Sequence, residues 1–234
     1  MIKERPILFS TDMVQALLAG RKTQTRRIIK PQPEKAAYGK VNWKGRELTL
    51  NSFSNHSPYG QVGDVLWVRE GFHLDKNDQF CDESSTHDTF TYKADHYHRD
   101  VKRIGVNYDN IDLCTEGWYD TDYPEETKWR PSIHMPKVAA RLWLKVINVK
   151  VERLDAISDE DAIAEGIAKP QSDETGVHYK NYHHPDFFMI TPKYSFKTQW
   201  EAINGNESWD ANPWLWVVEF EELSKVGKPK NPLR

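Results

Sequence analysis

"GRKTQTRRIIKPQP", residues 20–33, is the stretch on which the reading of this chain turns. A glycine opens it, the basic residues Arg21, Lys22, Arg26 and Arg27 surround Thr23 and Thr25, and two prolines close it. Just ahead, Met13, Leu17 and Leu18 fall on one helical face, and Asp12 followed by Gln15 makes a capping-box-like start. Gly20 suits the left-handed position past a helix end. The Thr and Ile content of "KTQTRRIIK" then favours a strand, which Pro31 and Pro33 stop.

The neighbouring segments continue in strands. "RPILFS" (5–10) reads as a short buried strand, "VNWKGRELTL" (41–50) as a hairpin, and "GQVGDVLWVRE" (60–70) as a strand entered through the Gly63-Asp64 turn. "ARLWLKVINVKVERL" (140–154) is the longest alternating run, and "NPWLWVVEFEEL" (212–223) a final strand. Helices are fewer. "SDEDAIAEGI" (158–167) has Ser158 as its cap, acids in the first turn and Gly166 at its end. "KYSFKTQWEAING" (193–205) is amphipathic through Phe196, Trp200 and Ile203. Residues 71–128 are acidic and turn-rich and read as an insertion, with "TFTYKAD" (89–95) a strand inside it; residues 168–192 read as irregular. Five or six strands, few helices and no βαβ rhythm predict an α+β, mainly β domain. The expected form is a small β-barrel with flanking helices, spanning 1–223, with a mobile tail at 224–234.

The 234 residues suffice for one core without disulfide staples. Cys81 and Cys114 are too far apart for a C-x-x-C site and too few for a disulfide framework, so free thiols in a cytoplasm are expected. No leader-like apolar region and no apolar run of membrane-spanning length is seen, so no membrane partner is expected. Net charge is −3, whereas a protein gripping duplex nucleic acid by charge alone is usually basic overall. A nucleic-acid role therefore rests on a local basic surface, a single strand or a small nucleoside. The nine tryptophans serve cores, and some can stack on bases.

Taken in order, "GRKTQTRR", "GDVLWVRE", "VERLDAISDEDAIAEGI" and "WLWVVEFE" resemble the ASCH family, whose fold is a PUA-like β-barrel. Gly20, Lys22, Thr25 and Arg26 fit its glycine–x–lysine–x–x–threonine pattern with a nearby arginine, and "GDVLWV" fits its G-D-x-L strand. "WRPSIHMP" and "SWDANPWLWVVEF" look like the longer members found in bacteriophages and prophages, which implies a bacterial host cytoplasm. The resemblance covers about residues 5–70 and 130–222. It implies recognition of RNA or nucleobases. One small branch of the family is an amidohydrolase that removes the acetyl group of N4-acetylcytidine with a lysine, a threonine and a glutamate. Carried over, these fall on Lys22, Thr25 and Glu165. This chain is about twice that enzyme's length, so the substrate does not follow from the resemblance.

Residue chemistry leaves two main alternatives open. In the first, Thr25 is a nucleophile, Lys22 its activating base and Glu165 an assistant, acting on an N4-acylated cytidine-like substrate. A threonine hydroxyl needs such a base, and a lysine serves only when burial or nearby cations lower its pKa. In the second, the same cleft binds RNA or single-stranded DNA, or cuts it. Arg21, Arg26, Arg27 and Arg130 then meet phosphates, and Trp67 or another tryptophan stacks a base. Arg69 and Glu70 lie on opposite faces of their strand; either lines the pocket or pairs with the insertion. A third reading is an accessory protein that binds another protein. "WRPSIHMP" offers Ser132 and His134, but no nucleophile elbow surrounds them. His96, His98, His178, His183 and His184 lack metal-ligand spacing, so no metal and no cofactor are expected.

Overall fold

The computed structural model describes residues 2–35, 40–75, 87–102, 129–168, 170–174, 176–184 and 186–230. Cys81 and Cys114 lie outside them. Strand β1 (Glu4–Leu8) leads into helix α1 (Thr11–Leu18). Ser10, and not Asp12, caps α1: its backbone is extended and its hydroxyl accepts from the Met13 N–H at 3.3 Å. Asp12 is already helical, so its carboxylate acts only on the helix dipole. Gly20, at φ 70°, turns the chain back so that Arg21 and Lys22 both donate their N–H groups to Ala16 O. Strand β2 (Gln24–Ile28) follows.

Next come β3 (Glu34–Lys35), β4 (Lys40–Trp43), β5 (Arg46–Thr49) and the short helix α2 (Leu50–Ser54). Lys44 and Gly45, at φ 52° and 73°, close the β4–β5 hairpin with the two left-handed residues that a twisted two-residue turn requires. The chain continues through β6 (Val65–Arg69), β7 (Phe72–Asp75), β8 (His87–Tyr92), β9 (His98–Lys102) and β10 (Trp143–Arg153). It ends with α3 (Asp159–Ala164), β11 (Gln171–Asp173), β12 (Gly176–Lys180), β13 (Phe188–Met189), α4 (Pro192–Asn204) and β14 (Trp214–Ser224).

The fold is mixed α+β and sheet-rich. Its main sheet has five strands in the order β1-β6-β10-β14-β2, with β1 parallel to β6 and the other pairs antiparallel. Among the described residues the expected barrel is not closed by a ladder, because β1 and β2 remain the two edges. A side chain joins them instead: Arg27 Nη2 on β2 donates to Leu8 O on β1 at 2.5 Å. Val14 and Leu17 of α1 share one core with Ile7, Leu66, Val68, Leu144, Val146, Val218 and Phe220 from four strands of that sheet. Burial of each such large apolar side chain contributes about 1.5–3 kcal/mol.

Two smaller units flank this sheet. Strands β7, β8 and β9, the described part of the expected insertion, pack Phe72, Leu74, Phe90 and Tyr92 against Trp67, Ala139 and Trp143. Arg141 binds this unit to the sheet. It meets both Glu70 oxygens at 2.9 Å and Asp95 at 2.8 Å, beneath the Tyr92 ring. The stretch 168–192, expected to be irregular, holds the three-stranded sheet β11–β13. Helix α4, capped by Thr191, packs Phe196 and Trp200 against Leu154, Ile157 and Ala162 beside α3. Past β14 the chain stays attached: Lys225 Nζ reaches Leu18 O, Gly227 N–H reaches Arg141 O, and Lys228 pairs with Glu4. The mobile tail expected from 224 therefore does not include these residues. No helix of the described residues is long and apolar enough to cross a membrane.

Candidate functional site

The basic turn after α1 and the end of α3 come together although they are 143 residues apart in sequence. Lys22 and Glu165 form an isolated antiparallel bridge, and Thr23 N–H donates to Ala164 O at 2.8 Å. On that backbone frame Lys22 Nζ lies 2.9 Å from Glu165 Oε2 and 2.8 Å from the Glu165 carbonyl. Both side chains are almost wholly buried. Arg26 takes the other Glu165 oxygen at 3.2 Å and continues to Asp161 at 2.8 Å and Glu152 at 3.3 Å. Gln24 donates to Asp161 Oδ1 at 3.0 Å and to its carbonyl at 2.6 Å. Alternation along β2 explains the set: Gln24 and Arg26 share the face that looks at α3.

Electrostatics at Lys22 follow from this packing. Burial pushes its ammonium below the ordinary lysine range; Glu165 opposes the shift without cancelling it, and Arg27 and Arg26 add to it. Burial also lowers the Arg27 guanidinium, which has no carboxylate bonded to it among the described residues and lies over the Phe9 ring at 5.7 Å. For Asp161, burial raises the pKa, but the Gln24 hydrogen bond and the charges of Arg26 and Lys150 prevail and hold it below the usual carboxylate value.

Gly166 makes the approach of the two segments possible. Its φ is +98°, and a Cβ there would sit 2.7 Å from Ala16 Cβ and 3.1 Å from Lys22 Cβ. Gly166→Ala is therefore expected to destabilise the protein by about 1–3 kcal/mol through strain and overpacking together. Gly205→Ala is the control: its φ is +99°, but nothing lies within 4 Å of the added carbon. Urea midpoints of the two variants check this. Equal losses would mean that the Ala16 contact is unimportant.

Above the Lys22–Glu165 pair opens a cavity of about 540 Å³. Its floor is Lys22, Arg26 and Glu165, all buried. One wall carries Trp43, Tyr59 and Trp216, and the facing wall is α4 with Phe196, Gln199, Trp200, Ile203 and Asn204. At the rim stand Lys30, Lys44 and His56, all exposed, with Arg27 deeper and half-buried. Several buried donors have no partner among the described residues: Arg26 Nε, Arg27 Nε and Trp200 Nε1. Donors and cations dominate this space, and Glu165 is the lone carboxylate among its lining residues.

The expected site residues fall in different places. Lys22, Glu165, Arg26 and Arg27 meet at the cavity. Thr25 lies on β2 opposite Val218, buried, with its hydroxyl lacking a partner among the described residues and outside the hydrogen bonds of the Lys22 network. Arg21 clamps the end of α3, donating to Gly166 O at 2.6 Å and Ile167 O at 3.0 Å. Trp67 is a core residue between β6 and the β7–β9 unit; buried on both sides, it offers no stacking face. Arg69 lies over Trp67 and donates to Ile133 O, and Glu70 is paired with Arg141. The backbone of Arg130 is bridged to Phe72. None of Arg21, Trp67, Arg69 and Arg130 lines the cavity. Sequence reasoning missed Trp43, Lys44, Tyr59, Gln199 and Trp216 as wall residues. The "WKGR" turn was the signal available for the first two.

Comparison with models of protein families, with curated proteins and with solved structures gives no match to this chain.

Proposed function

We propose that the chain is an ASCH-type, PUA-like domain that takes a nucleobase-bearing ligand into the cavity and hydrolyses an amide on it, as on an N4-acylated cytidine. The observation that carries this reading is the buried Lys22–Glu165 pair at the floor of an aromatic-walled cavity. A lysine with a lowered pKa is a usable base, and a carboxylate bonded to it can fix its position. The cavity has the volume of a small-molecule site and carries aromatic walls, with more cationic groups than most such sites. The motif Gly20-Lys22-Thr25-Arg26 and the acidic helix ending in Glu165 support the family reading, since they converge at one place.

In this mechanism Lys22 Nζ takes the Thr25 hydroxyl proton as Thr25 Oγ1 bonds to the acyl carbon. The carbon–nitrogen bond then breaks, the leaving amine takes the proton back from Lys22, and water releases the acyl group as a carboxylic acid. A rotation of the Thr25 side chain toward Lys22 is required, because its hydroxyl is not bonded to the pair in the structure.

The second reading is a non-catalytic module for RNA or single-stranded DNA, or a nuclease. The cations Arg27, Lys30 and Lys44 around the cavity favour it. A panel of N4-acylcytidines, assayed with wild type and Lys22→Ala, separates the two. Turnover lost in the variant is expected. No turnover with any member, together with tight salt-sensitive binding of single strands, would establish the binder instead.

A further inference from the structure

We infer that the ligand of this cavity carries a phosphate, held by Lys30 and Lys44 at the rim and by Arg27 just beneath them, while its base lies deeper between the Trp43 wall and α4. This rests on the nucleobase reading above but not on hydrolysis. The charges are graded with depth. At the floor, Lys22 and Arg26 are matched by Glu165, Asp161 and Glu152. Toward the mouth, Lys30, Lys44 and the deeper Arg27 form no ion pair with any described carboxylate, in a chain whose net charge is −3. Unpaired cations that converge on one concave surface raise the local concentration of an anion.

The hairpin fixes one of these cations. Lys44 occupies the first left-handed position of the β4–β5 turn, and its ammonium lies 4.2 Å from the Trp43 ring centre. Trp43 itself packs edge-on against Trp216 and tilted against Phe53, so the turn is anchored on the cavity wall. Lys30 follows the end of β2, and the buried Arg27 Nε has no partner among the described residues. A phosphate has the acceptor oxygens to satisfy that donor. Gln199 of α4 also lines the cavity, and its side-chain amide is a group able to both donate to and accept from a base edge.

The test is equilibrium binding followed by tryptophan fluorescence. The probes are the four common ribonucleosides, their 5′-monophosphates, short oligonucleotides of each base, and inorganic phosphate. Wild type is compared with the Lys30→Gln/Lys44→Gln double variant, whose exposed positions leave the core untouched. For at least one base, the monophosphate or oligonucleotide is expected to bind roughly tenfold or more tightly than the nucleoside, with an advantage that shrinks as salt rises. The double variant should lose that advantage and keep its nucleoside affinity. A monophosphate that outbinds the oligonucleotide marks a free nucleotide as the source of the phosphate, and the reverse marks a strand. Equal binding of nucleoside and nucleotide, no binding of any probe, an advantage that survives in the double variant, or inorganic phosphate binding as tightly as the nucleotides would each overturn the inference. Because no bond is cut in this assay, a failed hydrolysis assay leaves its result intact.

Discussion

Glu165→Ala is expected to lower the unfolding free energy by about 3–5 kcal/mol at neutral pH, the usual cost of stranding a buried charge. The loss falls on Lys22. Arg26 keeps Asp161 at 2.8 Å and Glu152 at 3.3 Å when Glu165 is truncated. Lys22 keeps the carbonyl of residue 165 and the Phe9 ring at 5.4 Å, and Arg26 and Arg27 still repel it. Its ammonium is fully buried, so water cannot screen the loss. The pH dependence has a definite sign. Burial depresses the folded pKa of Lys22 below 10.5, and removing Glu165 depresses it further. Between the folded and unfolded values the unfolded chain binds more protons, so stability rises with pH across that window. Urea titrations of the variant at rising alkaline pH should therefore recover part of the loss. Adding Lys22→Met should recover more of it at neutral pH, because the double variant no longer strands the Lys22 charge. If Glu165→Ala costs under about 1 kcal/mol, the range of an exposed pair, the pair is not buried as described.

Local pattern sufficed for much of this molecule. Val65–Arg69, the long strand at 143–153, the Ser158-capped helix and the final strand at 214–224 were all legible as elements. Each is specified by alternation or by a cap within a few residues. The cap of α1 was misread by two positions because Asp12 and Ser10 are both good caps, and only the extended backbone of Ser10 decides between them. For Trp67 alternation leaves both a core place and a base-stacking face open, and only the β7–β9 unit that covers it decides for the core. Pairing order was invisible for the same reason: nothing local states that β1 runs parallel to β6, or that β2 sits beside β14.

The site divides along the same line. Lys22 and Glu165 were paired only through a resemblance, since no spacing rule links a turn to a helix end 143 residues away. Gly166 looked like an ordinary helix stop. Its second role, the near-contact with Ala16 and Lys22, is a property of two segments at once. The basic run that drew attention has been distributed among different tasks. Arg21 clamps the end of α3, Arg26 neutralises acids, Arg27 bridges the edges of the sheet and Lys22 sits at the floor of the cavity. Charge clustering in sequence was thus a poor guide to charge available for a ligand. The available cations include Lys30, three residues past Arg27, and Lys44, from a hairpin turn.

Lys22→Met is expected to reduce amide hydrolysis by about 10²–10⁴-fold, the range for loss of a general base. Met matches the length of the lysine stem, so the loss should appear in kcat with KM little changed. The stronger check is the pH profile. In wild type, kcat/KM should rise with pH as Lys22 sheds its proton, along a limb centred below 10.5. Two neighbours should move that limb in opposite directions. Glu165 favours the ammonium, so Glu165→Gln should shift the limb toward acid pH even where the plateau falls. Arg27 disfavours it, so Arg27→Met should shift the limb toward alkaline pH. A residue that merely supports the fold would lower the plateau without moving the limb. If both variants leave the limb in place, or move it the same way, the titrating base is not Lys22. The cavity floor would then be a binding surface whose charges hold the base or phosphate without cutting a bond.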